Sequence, residues 1–105
     1  MKTIITSSGD KLTSNFDLRF GRAQWFCLYD ETTGETSFHV NPYLEEGHGT
    51  GPKVAQFCFE LGAEKIISGD FGPKAKDLLE KLKIQMVIID NENQSIRNII
   101  KQLKK

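Results

Sequence analysis

The spacing of apolar residues in the second half of the chain predicts three amphipathic helices. Apolar side chains recur at intervals of three and four residues in three segments, which contain Val54, Phe57, Cys58 and Leu61; Ala75, Leu78, Leu79 and Leu82; and Ile96, Ile99, Ile100 and Leu103. This spacing places one apolar stripe along each helix. Each helix therefore needs a hydrophobic surface to pack against.

Short apolar runs before and between these segments predict five β-strands. Residues 64–68 and 84–90 contain continuous apolar stretches, which are typical of parallel strands that are covered on both faces. Residues 2–7 form a β-branched run that ends at a turn. Residues 24–30 and 36–40 flank a turn-like tetrapeptide, so these two segments predict an antiparallel hairpin.

The order of these elements, three strands followed by alternating helices and strands, predicts an α/β fold. Two consecutive strand-helix-strand units cross over with the same hand, and this stacks the helices on a mostly parallel sheet. The length of 105 residues suffices for one hydrophobic core. We therefore expect a single domain over residues 1–105.

Composition changes this picture mainly by excluding classes of function. Fourteen basic and fourteen acidic side chains give a formal net charge of zero, so no overall field favours nucleic acid. No apolar run approaches the length of a membrane span or of a signal-peptide core, and we expect a cytoplasmic protein. Cys27 and Cys58 lack the spacing of a zinc or redox site, which favours small buried hydrophobic side chains.

The tripeptide Gly-Pro-Lys occurs twice, at residues 51–53 and 72–74, each time at the start of a predicted helix. Proline at the first helical position loses no hydrogen bond, because that N–H would have no partner within the helix. The preceding glycine leaves the first amides exposed at the positive end of the helix dipole, where an anion can bind. The alternative is that Gly-Pro only marks a helix start and that Lys53 and Lys74 are solvated.

A third candidate segment, Arg19-Phe20-Gly21-Arg22, lies in the loop after the first strand. Two guanidinium groups stand beside a glycine that allows the backbone to approach a ligand closely. Because ligands of open α/β sheets bind at the carboxyl ends of strands, we expect this segment and the two Gly-Pro-Lys loops to meet at one edge. The alternative is a loop whose Phe16 and Phe20 cover the end of the core.

Three motifs together resemble the dinitrogenase iron-molybdenum cofactor biosynthesis family. They are FGRA followed by an aromatic strand at residues 20–29, GxGPKxA at 49–55, and GxxGPKAxxLL at 69–79. The resemblance extends over nearly the whole chain. It implies a three-layer α/β/α fold with a ribonuclease H-like motif, three helices, and a five-stranded mixed sheet in which strand two is antiparallel to the others.

The resemblance also implies a function, since relatives bind iron-sulfur or iron-molybdenum cofactor precursors and carry or store them. For this chain it implies a non-enzymatic carrier that binds an anionic metal cluster or small anion and could pass it to a receiving protein. The cofactor-binding residues would come from the three loops: Arg19, Phe20, Gly21, Arg22, Gly49, Gly51, Lys53, Gly72 and Lys74. Many members carry histidine where this chain has Arg19, which does not ligate iron. His48 is then the candidate metal ligand.

No catalytic signature accompanies these loops, and we expect no enzymatic activity. A ribonuclease H-type nuclease needs converging carboxylates, yet residues 4–7 of the first strand read Ile-Ile-Thr-Ser. Asp10, Asp17 and Asp70 are typical of turns and caps. Two alternatives stay open: a phosphate- or nucleotide-binding regulatory module that uses the same helix N-termini, and a protein-interaction scaffold.

Overall fold

A computed structural model describes residues 1–47 and 49–104, which form five strands and three helices. In chain order the elements are β1 (Lys2–Ser7), β2 (Trp25–Asp30), β3 (Thr36–Val40), α1 (Gly51–Glu60), β4 (Lys65–Ser68), α2 (Pro73–Lys81), β5 (Gln85–Ile88) and α3 (Ile96–Leu103). Every strand and helix predicted from the apolar pattern is present. Among the described residues, no helix has the length and apolar character that crossing a membrane requires.

The strands form one mixed sheet in the order β3-β2-β1-β4-β5. Strand β2 pairs antiparallel with both β1 and β3, whereas β1, β4 and β5 pair in parallel. The predicted sheet, in which only strand two runs against the others, is therefore confirmed. Its central strand, β1, is buried from Thr3 to Ser7.

Helices cover both faces of the sheet, which confirms the three-layer α/β/α arrangement. Ile4 and Ile66 belong to a core cluster with residues of α1 and α2. Their chain neighbours Ile5 and Ile67 belong to a second cluster with residues of α3. Successive side chains of a strand point to opposite faces, so adjacent isoleucines supply the two cores.

Strand β5 is covered on both faces, as expected, but less completely than β4. It is an edge strand, and Ile88 is 65% exposed. Met86 and Val87 are half-buried, one against each core. The apolar run correctly predicted that these residues form a strand. It did not predict that β5 is the outermost strand of the sheet, because the order of strands depends on how they pair.

Candidate functional site

The three predicted loops meet in one cavity at the end of the sheet that contains the carboxyl ends of β1 and β4. The cavity has a volume of about 580 Å³, and it is lined by residues 19–22, residues 49–52, and residues between Asp70 and Ala75. Strands β1 and β4 are parallel neighbours, so their carboxyl ends lie at the same edge. The structure thus brings together the loops that the sequence predicted to be neighbours.

Backbone hydrogen bonds hold residues 19–22, here called the arginine segment, against the loop after β4. The amide of Gly69 donates to the carbonyl of Leu18 at 3.1 Å, and the amide of Phe20 donates to the carbonyl of Asp70 at 3.3 Å. A β-carbon at position 69 would lie 2.6 Å from Leu18 Cδ2 and 2.8 Å from Leu18 Cα. Glycine at position 69 is therefore required for the two loops to approach each other this closely.

Two buried hydroxyl groups hold the same segment from the sheet side. Thr6 Oγ1 of β1 donates to the carbonyl of Asp17 at 2.5 Å and lies 2.9 Å from Ser68 Oγ of β4. Ser68 Oγ in turn lies 3.5 Å from the carbonyl of Leu18. Both hydroxyl side chains are fully buried. Sequence reasoning missed this pair, whose only signal is a small polar residue that follows two isoleucines in each strand.

Small residues bring the starts of the two helices together. A β-carbon on Gly51, the first residue of α1, would lie 3.1 Å from the β-carbon of Ala75 in the first turn of α2. Thr50, the residue before Gly51, contacts the arginine segment: its Oγ1 donates a hydrogen bond to the carbonyl of Gly21 at 3.5 Å. The glycines of these motifs thus allow three backbone segments to surround one cavity.

The first turns of α1 and α2 both line this cavity. Pro52 and Pro73 lie in these turns, which confirms that each Gly-Pro starts a helix. Within the described part of the chain, neither Thr50 nor Gly72 caps its helix through a side chain, and neither first turn holds an acidic residue. The cavity therefore lies at the positive ends of two helix dipoles, where backbone N–H groups lack helical acceptors.

Cationic side chains outnumber acidic ones around the cavity. Arg19, Arg22 and Lys74 line it, and Asp70 is the one acidic side chain among the described lining residues. Asp70, predicted as a turn or cap residue at the ligand edge, lies in the loop after β4, where its carbonyl accepts a hydrogen bond from the amide of Phe20. The electrostatic balance of the side chains therefore favours an anion.

Of the predicted binding residues that the structure describes, only Lys53 lies outside the cavity lining. Its Nζ forms an ion pair with Glu46 and lies 5.8 Å from the centre of the Tyr43 ring. The hydrogen bond to Glu46 raises the pKa of Lys53. Arg22 donates to the backbone carbonyl of the same Glu46 at 3.3 Å. The two Gly-Pro-Lys motifs are thus not equivalent, since Lys74 lines the cavity and Lys53 holds the preceding loop.

Arg19 is exposed, but its guanidinium group is oriented by Asp17. Asp17 Oδ1 accepts hydrogen bonds from the backbone N of Arg19 at 2.9 Å and from its Nε at 3.1 Å, and Oδ2 accepts one from Nη2 at 3.1 Å. The hydrogen bond and the charge of Asp17 raise the pKa of Arg19. The first of these contacts confirms the turn role predicted for Asp17, whereas the ion pair was not predicted.

Phe16 and Phe20 are buried in the two cores, one on each face of the sheet. Both side chains are 2% exposed. Phe20 packs in the cluster under α1 and α2, with its ring centre 5.1 Å from that of Phe71, and Phe16 packs in the cluster under α3. The interpretation of these phenylalanines as a cover for the core is therefore correct, and Phe20 also lines the cavity.

Metal-ligating side chains do not cluster in the part of the chain that the structure describes. There, no group of three or more His, Cys, Asp or Glu side chains could hold a metal ion. Cys27 and Cys58 are fully buried, as predicted, and burial raises the pKa of both thiols, that of Cys27 to about 12. His39 lies on β3 with Nε2 2.9 Å from Ser37 Oγ. His48, the predicted metal ligand, lies outside the described residues.

Fold and cavity together define a class of small α/β/α proteins in which two helix starts and an arginine segment surround a glycine-rich site. The family described as "Dinitrogenase iron-molybdenum cofactor" matches residues 1–105. This chain belongs to that family. The resemblance inferred from the three motifs is therefore confirmed.

Solved structures of other proteins share this fold. The apo form of the orange protein from Desulfovibrio gigas is 29% identical, with a TM-score of 0.90 over 97% of this chain and 85% of that chain. A Thermotoga protein provisionally assigned as a NifB protein is 28% identical, with a TM-score of 0.82 over the same shares, 97% and 85%. A third structure, 20% identical over 99% of this chain and 90% of that one, has a TM-score of 0.81 and shows the same fold. No curated protein matches the sequence.

Proposed function

We propose that this chain is a non-enzymatic binding or carrier protein for an anionic metal cluster, such as an iron-sulfur or iron-molybdenum cofactor precursor. The observation that carries the proposal is the meeting of two helix N-termini and the arginine segment at one cavity of about 580 Å³. Backbone N–H groups at helix starts bind anions, and the surrounding cations add attraction at longer range. A protein that receives the cluster is part of the same proposal.

The comparisons support this class of ligand. The description of the family names the iron-molybdenum cofactor. The orange protein, which shares the fold at 29% identity, was solved in its apo form, a term for a protein without its bound group. A cavity able to hold such a group is therefore consistent with both findings.

Within the cavity, the described residues favour recognition by hydrogen bonds and charge. The amides of Lys74 and Ala75 in the first turn of α2 are donors without an acceptor in their own helix, and the Lys74 side chain adds a positive charge. A direct bond from protein to metal is proposed for His48 alone. The His48→Ala variant tests that bond separately, because it should weaken the visible charge-transfer band of a bound cluster.

The matched variants Lys74→Gln and Lys53→Gln test whether the cavity is the binding site. Both lysines follow Gly-Pro at a helix start, but only Lys74 lines the cavity. We expect K74Q to weaken binding of a reconstituted iron-sulfur cluster about tenfold, since a charge-assisted hydrogen bond contributes roughly 1.5 kcal/mol. K53Q should change the affinity less than about twofold, as expected for an exposed ion pair outside the site.

Anaerobic titration followed at the charge-transfer band in the visible spectrum measures both affinities. Equal losses in the two variants would show that the lysine charge acts without contact in the cavity. If wild-type protein develops no band under any loading condition, it does not bind this class of cluster.

A phosphate- or nucleotide-binding regulatory module is the second candidate function. The observation that favours it is the pair of helix N-termini without side-chain caps at one cavity, since this arrangement recognises phosphate groups without a metal. Thermal unfolding separates the two candidates. A ligand present at 100 times its Kd stabilises the folded state by about 2.7 kcal/mol, which raises the melting temperature by several degrees. A shift with phosphate esters or nucleotides, and none with clusters, would establish the second function.

A further inference from the structure

Asp17 and Arg19 form a charged pair whose two members differ sharply in exposure. The side chain of Asp17 is 7% exposed, whereas that of Arg19 is 64% exposed. The carboxylate contacts the arginine at the backbone N, at Nε and at Nη2. A nearly buried acceptor thus holds a donor group that is open to solvent. Arg19 lines both the cavity between the helix starts and a second cavity of about 440 Å³, which Asp17 and Glu92 also line.

Asp17 is itself fixed to the central strands of the sheet. Its amide donates to the carbonyl of Thr6 at 3.0 Å, and its carbonyl accepts a hydrogen bond from Thr6 Oγ1 at 2.5 Å. Thr6 Oγ1 also lies 2.9 Å from Ser68 Oγ of β4. The backbone of Asp17 therefore has a defined position relative to the strand ends, and its carboxylate, held by the amide of Arg19, connects that position to the guanidinium group.

The geometry of the pair leaves hydrogen-bond donors for a ligand. Asp17 engages one edge of the guanidinium, formed by Nε and Nη2, so the two hydrogens of Nη1 and one of Nη2 stay available. Arg19 lines the cavity. The charge of Asp17, however, repels an anion there. Positioning by Asp17 and repulsion by Asp17 therefore act in opposite directions on anion binding.

We infer that Asp17 is a positioning residue for anion binding: it orients the Arg19 guanidinium group at the cavity, and this effect outweighs the repulsion from its own charge. The inference rests on the proposed function and names how the arginine takes part in it. A fixed planar guanidinium presents parallel N–H donors, which suit the oxygen or sulfur atoms of a metal-containing anion.

Asp70 offers a matched control for Asp17. It also carries a negative charge at this cavity, and within the described residues it forms no ion pair. Replacing either aspartate by asparagine removes one negative charge with little change in shape. Net charge alone would therefore make both variants bind an anion more tightly.

The test compares the Asp17→Asn and Asp70→Asn variants in their affinity for two ligands. These are molybdate, measured by isothermal titration calorimetry, and the reconstituted iron-sulfur cluster. We expect D17N to weaken binding about five- to tenfold, because the guanidinium loses its fixed orientation. D70N should strengthen binding about two- to threefold, because a repulsive charge is removed. Tighter binding by D17N would overturn the inference and leave the anion site in place. If the wild-type protein bound neither probe, the proposed function and this inference would both be wrong.

The same Asp17→Asn change in a protein that lacks Arg19 separates the positioning of the arginine from a general effect of Asp17 on the loop. In Arg19→Gln protein the positioning role is absent, so adding D17N should leave the affinity unchanged or raise it about twofold. A further five- to tenfold loss in that background would show that Asp17 acts through the fold of the loop, which would overturn the inference. If D17N does not fold, Arg19→Lys keeps the charge but loses the paired contact with Asp17, and it should weaken binding about fivefold. Wild-type affinity in R19K would overturn the inference as well.

Discussion

Gly69 and Gly51 determine how closely the segments around the cavity approach one another. Position 69 faces the backbone of Leu18, and position 51 faces the side chain of Ala75. Gly72, in the same loop as Gly69, has no atom within 4 Å of the place that a β-carbon would take. Two of these glycines thus set distances between backbones, and the third leaves a helix start open to a ligand.

Alanine at position 69 should destabilise the protein. Its β-carbon would lie within 3 Å of Leu18 atoms that include the backbone Cα, and we expect the free energy of unfolding to fall by about 2–3 kcal/mol. Gly72→Ala is the matched control, because its φ of −61° suits alanine, and the change from glycine to alanine at an N-cap should cost no more than about 1 kcal/mol. Equilibrium urea denaturation measures both variants. Similar losses in the two would contradict the steric explanation.

The two lysines of the repeated motif show which site features the sequence could not predict. Pro and Gly act locally, so both helix starts were predicted correctly from the tripeptide alone. The direction taken by Lys53 depends on Glu46, which lies in a loop whose path the motif does not determine. The same limit applies to Thr6 and Ser68, because their hydroxyl groups act on a loop distant in sequence.

At the scale of elements, strands and helices were predictable because each carries its own periodicity. The limits of β1 at Lys2–Ser7 agree with the prediction, since a β-branched run there ends at a Ser-Gly turn. Strand β5 was predicted as a segment, but its exposed Ile88 was not. Which strand forms an edge depends on pairing between distant segments, and a local pattern does not record that pairing.

At the end of the sheet opposite the cavity, one carboxylate connects three strands. Glu31, directly after β2, accepts a hydrogen bond from Thr3 of β1 and pairs with Lys65 of β4 at 3.0 Å. The side chains of Glu31 and Lys65 are 25% and 14% exposed. The Thr3 hydrogen bond, with a further contribution from Lys65, lowers the pKa of Glu31.

Glu31→Gln should destabilise the protein in a pH-dependent way. At pH 7 we expect a loss of about 1–2 kcal/mol in the free energy of unfolding, because Lys65 loses its partner. Since folding lowers the pKa of Glu31, its charge stabilises the fold above the unfolded-state pKa, near 4.3, and this stabilisation disappears as the pH falls through the lower folded-state value. The difference between wild type and variant should therefore shrink below about pH 4. Urea denaturation between pH 3 and 7 tests this, and a constant difference would contradict the electrostatic role.

At the scale of the whole molecule, charge is balanced overall but unevenly distributed. The formal net charge is zero, whereas three cationic side chains and one acidic side chain line the cavity among the described residues. The radius of gyration is 12.3 Å, which is comparable to the Debye length of about 10 Å at 0.1 M salt. We therefore expect any electrostatic attraction of an anion to act at the cavity and not over the molecule as a whole.

Anion affinity should depend on salt while stability should not. Raising NaCl from about 20 to 300 mM is expected to weaken molybdate binding about tenfold, because salt screens the cationic side chains at the cavity. The melting temperature without ligand should change by only about 2 °C, since the net charge is zero. Calorimetric titrations and thermal unfolding at three salt concentrations measure the two quantities. An affinity that does not change with salt would indicate binding by backbone N–H groups without a contribution from Arg19, Arg22 or Lys74.

Helix α3 has a consequence for how the protein is made in the cell. In the described part of the chain it is the helix that covers the sheet face formed by Ile5 and Ile67, and it follows every other element in chain order. While the chain is being translated, this apolar face therefore lacks its cover until α3 has left the ribosome. Nascent chains stalled before α3 should be held by chaperones that bind exposed apolar surface, and release should follow the emergence of the helix from the ribosome.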